Sequence, residues 1–323
     1  MSVEAQEIVP LPKPLPEERT RDESIPQAAR RALSSPIATA FVVIITIVWT
    51  IPTFGLLVTS LRPKDQAQNS GWWTFLSDPV LTLSNYSEVL TGGSVIPNGI
   101  TPYFFNSFAI ALPAAIFPLV IACMAAYALA WVPFKGATLI FFVIFGLQVV
   151  PLQMALLPLL QLFNKGWSLG PVPIIPEMNL GGTYVPLWIA HTMFALPLAV
   201  FLLHNFISQM PRELMEAARV DGASHFLIFR KIVLPLAIPA IASFAIFQFL
   251  WVWNDLLVAL TFAGGTVDVA PITAYLANIK GTYGAQLHLI TAGAFIAIIV
   301  PLIVFFALQR FFVRGLLAGS VKG

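Results

Sequence analysis

Gln209-Met-Pro-Arg-Glu-Leu-Met-Glu-Ala-Ala-Arg-Val-Asp-Gly-Ala-Ser-His-Phe-Leu-Ile-Phe-Arg-Lys-Ile-Val-Leu-Pro235 is a charged island between two apolar runs, Tyr184 to Phe206 before it and Leu236 to Phe262 after it. A run of 18 or more residues with few charges reads as a membrane-crossing helix, because about 20 residues at 1.5 Å each span the hydrocarbon layer. Four further runs qualify, near Ile37 to Leu57, Phe105 to Val132, Ala137 to Phe163 and Ile290 to Gln309. The expected fold is therefore an all-α polytopic membrane protein with six transmembrane helices, in which residues 207–235 form a polar helix-turn-helix.

Composition agrees. Of 323 residues, 58% are hydrophobic and 10% charged, with mean hydropathy +0.85, which excludes a soluble globular enzyme. Lys and Arg number 17 against 15 Asp and Glu, a net +2, so no basic stripe is present to neutralise phosphates and nucleic acid is not an expected partner. Membrane lipid is. Cys123 is the single cysteine, which rules out an intrachain disulfide and a cysteine-based zinc site.

Positive charge orients the chain. Lys13, Arg19, Arg21, Arg30, Arg31, Lys135, Arg212, Arg219, Arg230, Lys231, Arg310, Arg314 and Lys322 fall on one set of segments, and only Arg62, Lys64, Lys165 and Lys280 on the other. Both termini and residues 207–235 are thus expected in the cytoplasm, and residues 62–104, 164–183 and 263–288 outside. Residues 1–35, rich in Pro, Glu and Arg, read as a disordered cytoplasmic tail. No small-residue cleavage site follows the first run, which reads as an anchor rather than a signal peptide. Residues 36–323 make up the membrane domain, with an outward loop over 62–104 and a cytoplasmic C-terminal tail over 310–323. That outward loop carries turn formers and the Trp72-Trp73 pair, and reads as a small folded cap.

Within the charged island, Pro211 suits a helix start, Glu213 favours its positive end, and Gly222 can take the left-handed conformation that closes it. Glu216 stands four residues from Arg212 and three from Arg219, which makes one charged face; Leu214, Ala217 and Ala218 make a small apolar one. In a second helix Phe226, Phe229, Ile232 and Val233 form an apolar stripe beside Arg230 and Lys231, and Pro235 is expected to end it. A plain amphipathic connector on the membrane surface would share much of this pattern. The first helix is too short and its Ala-Ala face too shallow to hold lipid well; small residues flanked by charge suit a knob pressed into a cleft of a soluble partner.

Glu216-Ala217-Ala218-Arg219-Val220-Asp221-Gly222-Ala223, followed by Phe229 and Ile232-Val233-Leu234-Pro235, closely resembles the EAA loop of ABC importer permeases. The resemblance continues through Trp253-Asn254-Asp255-Leu256-Leu257 and the ending Gly315-Leu-Leu-Ala-Gly-Ser-Val-Lys-Gly323, and covers Pro36 to Gly323. The chain looks like a MalG-type permease of carbohydrate importers, with a weaker similarity of Ser70-Gly-Trp-Trp-Thr74 and Leu83-Ser-Asn-Tyr86 to members that import α-glucosides. The resemblance implies the type I ABC importer permease fold and a bacterial or archaeal cytoplasmic membrane. It implies as partners a MalF-type second permease, a dimer of cytoplasmic ABC ATPase subunits and an extracytoplasmic sugar-binding protein. The chain itself would be no enzyme and hold no cofactor; ATP and magnesium would belong to the ATPase subunits. Coupling to those subunits falls on Glu213, Glu216, Ala217, Ala218, Asp221 and Gly222, with charged contacts added by Arg230 and Lys231.

Polar groups inside apolar runs are the candidates for a solute path. Asp255, with Asn254, either fixes local helix geometry or lines the path. Gln148 and Gln153 bracket Pro151, where a kink would free carbonyls toward a cavity. His191 and Gln248 read first as interhelical hydrogen-bonding groups. No Gly-rich phosphate cradle, H-E-x-x-H or G-x-S-x-G is present. A self-sufficient ion- or proton-coupled carrier is the alternative. It would be expected to show ionisable groups near the midplane and paired broken helices, and apart from Asp255 neither is visible in the sequence.

Overall fold

The computed structural model describes residues 35–93, 97–264, 266–279 and 286–318, with 309–318 as backbone alone. The expected N-terminal tail lies outside the described residues except for Ser35, and so does the end of the C-terminal tail, 319–323. Two compact units divide the chain, Met1–Phe54 and Gly55–Gly323. The described part of the first is the start of helix α1 (Pro36–Ser60), whose apolar side chains are nearly all exposed. Thr46 and Thr50 there return their hydroxyls to carbonyls four residues back, Val42 and Thr46, each at 2.7 Å, which satisfies them where no water is at hand.

The second unit opens with a cap: α2 (Lys64–Asn69), a 3₁₀ turn (Trp72–Leu76) and α3 (Ser84–Thr91). Arg62, 2% exposed, organises it. Its guanidinium donates to Ser70 O, Gly71 O, Ser70 Oγ and Thr74 Oγ1 at 3.3, 3.0, 2.6 and 2.9 Å, and buried Asn85 ties α3 back through Ser60 O and Arg62 O. A fork of donors that meets a ring of neutral acceptors offsets much of the desolvation of a buried guanidinium, although Arg62 Nε finds no partner among the described residues.

The bundle follows: α4 (Thr101–Trp131), α5 (Ala137–Leu147), α6 (Leu152–Lys165), a hairpin of β1 (Trp167–Leu169) and β2 (Val172–Ile175), α7 (Tyr184–Ile207), α8 (Arg212–Val220), α9 (His225–Trp253), α10 (Leu257–Phe262), α11 (Ile272–Ile279) and α12 (Leu287–Ala318). The antiparallel hairpin, with Trp167 opposite Ile175, is the exception to the all-α expectation among the described residues. Among the described residues five helices are long and apolar enough to cross a membrane, or six with α5 and α6 taken as one broken span. Along the α4–α7 contact Ala111, Ala114, Ala122 and Ala126 face Ala190, Ala195 and Ala199, all buried. Small side chains at these spacings let two backbones approach closely, the packing that substitutes for a hydrophobic drive in lipid. Buried side chains gather in two clusters, one at the cap end around Trp253, Phe262 and Tyr275, the other at the opposite end around Tyr127, Met215 and Val233. Burial pushes the Tyr275 hydroxyl up to about 12, helped by Tyr103 and Glu88; it stays neutral and donates to Val89 O at 3.2 Å.

The expected spans are refined at one point and corrected at two. In the run Ala137 to Phe163 the kink expected at Pro151 is present and is a full break, at which α5 and α6 meet at 97°. The amides of Gln148, Val149 and Val150 bond three residues back, which tightens the last turn, and Pro151 offers no N–H to continue it. The run Leu236 to Phe262 breaks at Asn254–Leu256, where the Asp255 carboxylate accepts from Ala259 N at 3.1 Å and starts α10 afresh. Pro235, expected to end the second loop helix, sits inside a continuous α9. A π turn over Phe229–Val233, with Leu234 N bonded to Phe229 O, precedes the proline and shifts the ladder so that no N–H is required of it. The last helix runs to Ala318, into the segment read as the C-terminal tail.

Candidate functional site

At the end of the bundle opposite the cap, α8 follows Pro211 with Glu213 in its first turn and closes at Gly222, whose φ is +78°. Ser224 then caps α9, its hydroxyl accepting from Leu227 N at 3.3 Å. The element is pinned from within by Met215, Ile228 and Val233, each at most 2% exposed. Three side-chain bonds hold it to its neighbours. Arg219 Nη2 donates to Trp131 O at 3.1 Å, Trp131 Nε1 donates to Ile207 O at 3.0 Å, and Tyr127 Oη lies 2.9 Å from His225 Nδ1. The C-terminal end of α4 is therefore bonded to both sides of α8.

Of the small apolar face expected to meet a partner, Leu214 and Ala217 are exposed and Ala218 is half-buried, while Met215, to which the sequence reading gave no role, points inward. A helix entered at Pro211 and held by Met215 turns Leu214 and Ala217 outward, because residues 100° apart cannot share one narrow contact. Glu213, Glu216, Asp221, Arg230 and Lys231 are exposed too, and no ion pair engages them among the described residues. Arg219 has left the charged face for the Trp131 carbonyl. Beside these charges Val220 and Phe226 are 87% and 70% exposed. Sequence reasoning assigned Val220 no role, although an apolar residue just before Asp-Gly on a charged helix was the available signal.

A second feature is a cavity of about 600 Å³ at the α5–α6 bend. Three helices each supply one stripe. On α9 it is Phe244, Phe247, Gln248 and Trp251, and on α7 His191, Phe194, Ala195 and Leu198, both at i, i+3, i+4, i+7; α6 adds Leu152, Ala155 and Leu159. The polar wall groups are Gln148, His191 and Gln248. Gln248 Nε2 donates to Ala114 O at a long 3.4 Å, and His191 Nε2 is 3.9 Å from Asp255 Oδ2. Of the expected path residues, Gln148 lines the cavity; Gln153, Asn254 and Asp255 do not. Asn254 Nδ2 donates to Leu250 O at 2.8 Å, Asp255 O accepts from Thr273 Oγ1 at 2.6 Å, and the Asp255 carboxylate caps α10, so this pair fixes the helix break.

A broken-helix bundle that carries a charged helix-turn element and a neutral cavity at mid-span defines a transport permease. The chain belongs to the family described as binding-protein-dependent transport system inner membrane component, matched over residues 118–317. It is a multi-pass permease subunit of an ABC importer, which works with a second permease, ATPase subunits and a binding protein. The osmoprotective compounds uptake permease protein GgtD of Synechocystis sp. is 50% identical over 282 residues, covering 86% of this chain and 89% of that one. The alpha-glucoside transport system permease protein AglG of Rhizobium meliloti is 41% identical, with 87% and 96% covered. In fold the chain is similar to the crystal structure of a bacterial ABC transporter involved in the import of the acidic polysaccharide alginate, with a TM-score of 0.64 at 19% identity over 88% of this chain and 98% of that one.

Proposed function

We infer that this permease imports a small carbohydrate or related polyhydroxylated solute, and that the α8–α9 element transmits the ATPase cycle to the bundle. The observation that carries the inference is the two-sidedness of that element. Its inner side is locked by Met215, Ile228 and Val233, while its outer side presents unpaired charges and the apolar side chains of Val220 and Phe226. Exposed apolar groups ringed by charge are the surface of a protein contact. Glu213, Glu216, Ala217, Ala218, Asp221 and Gly222 form the knob, with Arg230 and Lys231 at its flank. Because α9 is continuous from His225 to Trp253, a push on the knob moves a rigid rod.

In this reading the loop and both termini are cytoplasmic, and ATP with magnesium stays in the ATPase pair, whose closure drives the solute along the path this chain forms with the second permease. The chain contributes no hydrolytic step of its own. The names of the relatives, one for osmoprotective compounds and one for alpha-glucosides, support the solute class.

The complete complex in proteoliposomes tests both parts. ATP- and binding-protein-dependent uptake of α-glucosides is expected, and a crosslink from Glu216→Cys should land on an ATPase subunit. Accumulation of the sugar by this chain alone without nucleotide would overturn the reading.

A further inference from the structure

Resting on the import reading above, we propose that the cavity at the Pro151 bend is a glycoside site of this chain's own, binding uncharged saccharide through Gln148, His191 and Gln248 and rejecting anionic saccharide. The three polar groups come from three separate elements and converge at one depth. At 1.5 Å per residue His191 lies about 10 Å into α7 from its cap-end start, and Gln248 about 8 Å into α9 from its cap-end finish. Gln148 closes α5, a half-span that stops mid-bundle.

Structural duty leaves these groups underused. Gln248, 4% exposed, makes one long bond to Ala114 O through its amide nitrogen. No side-chain bond is made by Gln148 among the described residues, and its side chain is exposed. An amide offers donors and an acceptor together, which is what a sugar hydroxyl requires, and the face of Trp251 beside them suits the C–H edge of a pyranose ring. The volume, about 600 Å³, lies within the range of roughly 300–1,000 Å³ that holds small ligands.

Charge selects the class. Among the described residues no Lys, Arg, Asp or Glu lines the cavity, so a carboxylate entering it would lose its water with no cation to meet it. The nearest ionisable neighbour makes matters worse for an anion, since the Asp255 carboxylate stands 3.9 Å behind His191. The cavity is open on one flank, where Phe247, Trp251 and Met193 are 41%, 54% and 47% exposed, the side a second permease would close.

The test uses the complete complex with ATP and binding protein present. With Cys123→Ser as background, Gln148→Cys is alkylated by N-ethylmaleimide and the modified chain is read by mass spectrometry. Trehalose or maltose should slow the alkylation at least fivefold, a uronic-acid disaccharide should not, and adding Gln248→Leu should abolish the protection. In uptake assays Gln148→Leu and Gln248→Leu should each lower sugar import about tenfold while binding-protein-stimulated ATP hydrolysis persists, and Gln148→Asn should recover part of the loss. Trp251→Ala, at the exposed rim, repeats the uptake test where packing is least disturbed. If the unaltered complex imports no neutral glycoside, the import reading fails and the site with it. If it imports normally and these variants match it without sugar protection, the site alone is refuted.

Discussion

Gly222 sits at φ +78°, and a Cβ built there would meet nothing within 4 Å. The cost of a side chain at that turn is therefore backbone strain alone, about 1–2 kcal/mol for an ordinary L-residue and less for Asn. Proline adds a φ fixed near −65°. The expected order of coupled transport is Gly, then Asn, then Ala, then Pro, measured as solute moved per ATP hydrolysed, with membrane insertion unchanged throughout. Equal ratios across the series would remove the turn from the coupling path. Arg62 gives the opposite case, a side chain whose value lies in its contacts. Arg62→Ala removes four hydrogen bonds from a half-buried ring, in which Thr74 Oγ1 still bonds Gly71 O and Ser70 Oγ, and should cost the cap on the order of 1–3 kcal/mol. Faster proteolysis between α1 and α3 is the readout. The sequence made Gly222 legible because turn chemistry is local; Arg62 looked like a stray outward charge because its acceptors come from residues 70–74, brought round by the fold.

At the scale of the element, the Pro235 expectation failed instructively. A proline need not end a helix inside a membrane, and Pro239 sits within α9 as well; before Pro235 the π turn over Phe229–Val233 shifts the ladder locally. One uninterrupted α9 then links the α8 turn to the cavity wall, which two hinged pieces would do less stiffly. A second link runs through α4, by Tyr127 to His225 and by Trp131 to Ile207. Tyr127→Phe keeps the ring against Phe229 and removes one hydrogen bond, worth about 1 kcal/mol. We expect unchanged assembly and a several-fold drop in transport per ATP, and an unaltered ratio would confine the signal to α9. Ser224→Ala should fray the start of α9 by about 1 kcal/mol, visible as faster amide exchange at Leu227. Both contacts join residues 76 to 98 positions apart, and no periodicity within the loop could have announced them.

For the whole molecule, the decisive feature is the 97° bend that opens the cavity. Pro151→Ala restores a donor to the chain and should favour a straighter span. Sugar uptake should fall at least tenfold while the complex still assembles and hydrolyses ATP. Normal uptake would show that the bend is held by packing against α7 rather than by the proline. The same scale explains the mixed fate of the path candidates. Gln148 and Gln153 are equivalent in sequence, one on each side of Pro151, yet only Gln148 reaches the cavity, because a right-angle turn sends the two helices in different directions.

Read alone, the sequence was sufficient for the apolar runs and the Glu216–Gly222 turn, both of which depend on residues within a few turns of one another. Hydrophobic length and capping act locally, so they survive without knowledge of the fold. Only the tertiary structure decided which stripes of α6, α7 and α9 face one another, that Met215 anchors the loop, and that the Asp255 carboxylate starts a helix. Those outcomes depend on crossing angles and on hydrogen bonds between segments far apart in the chain, which the order of residues does not display.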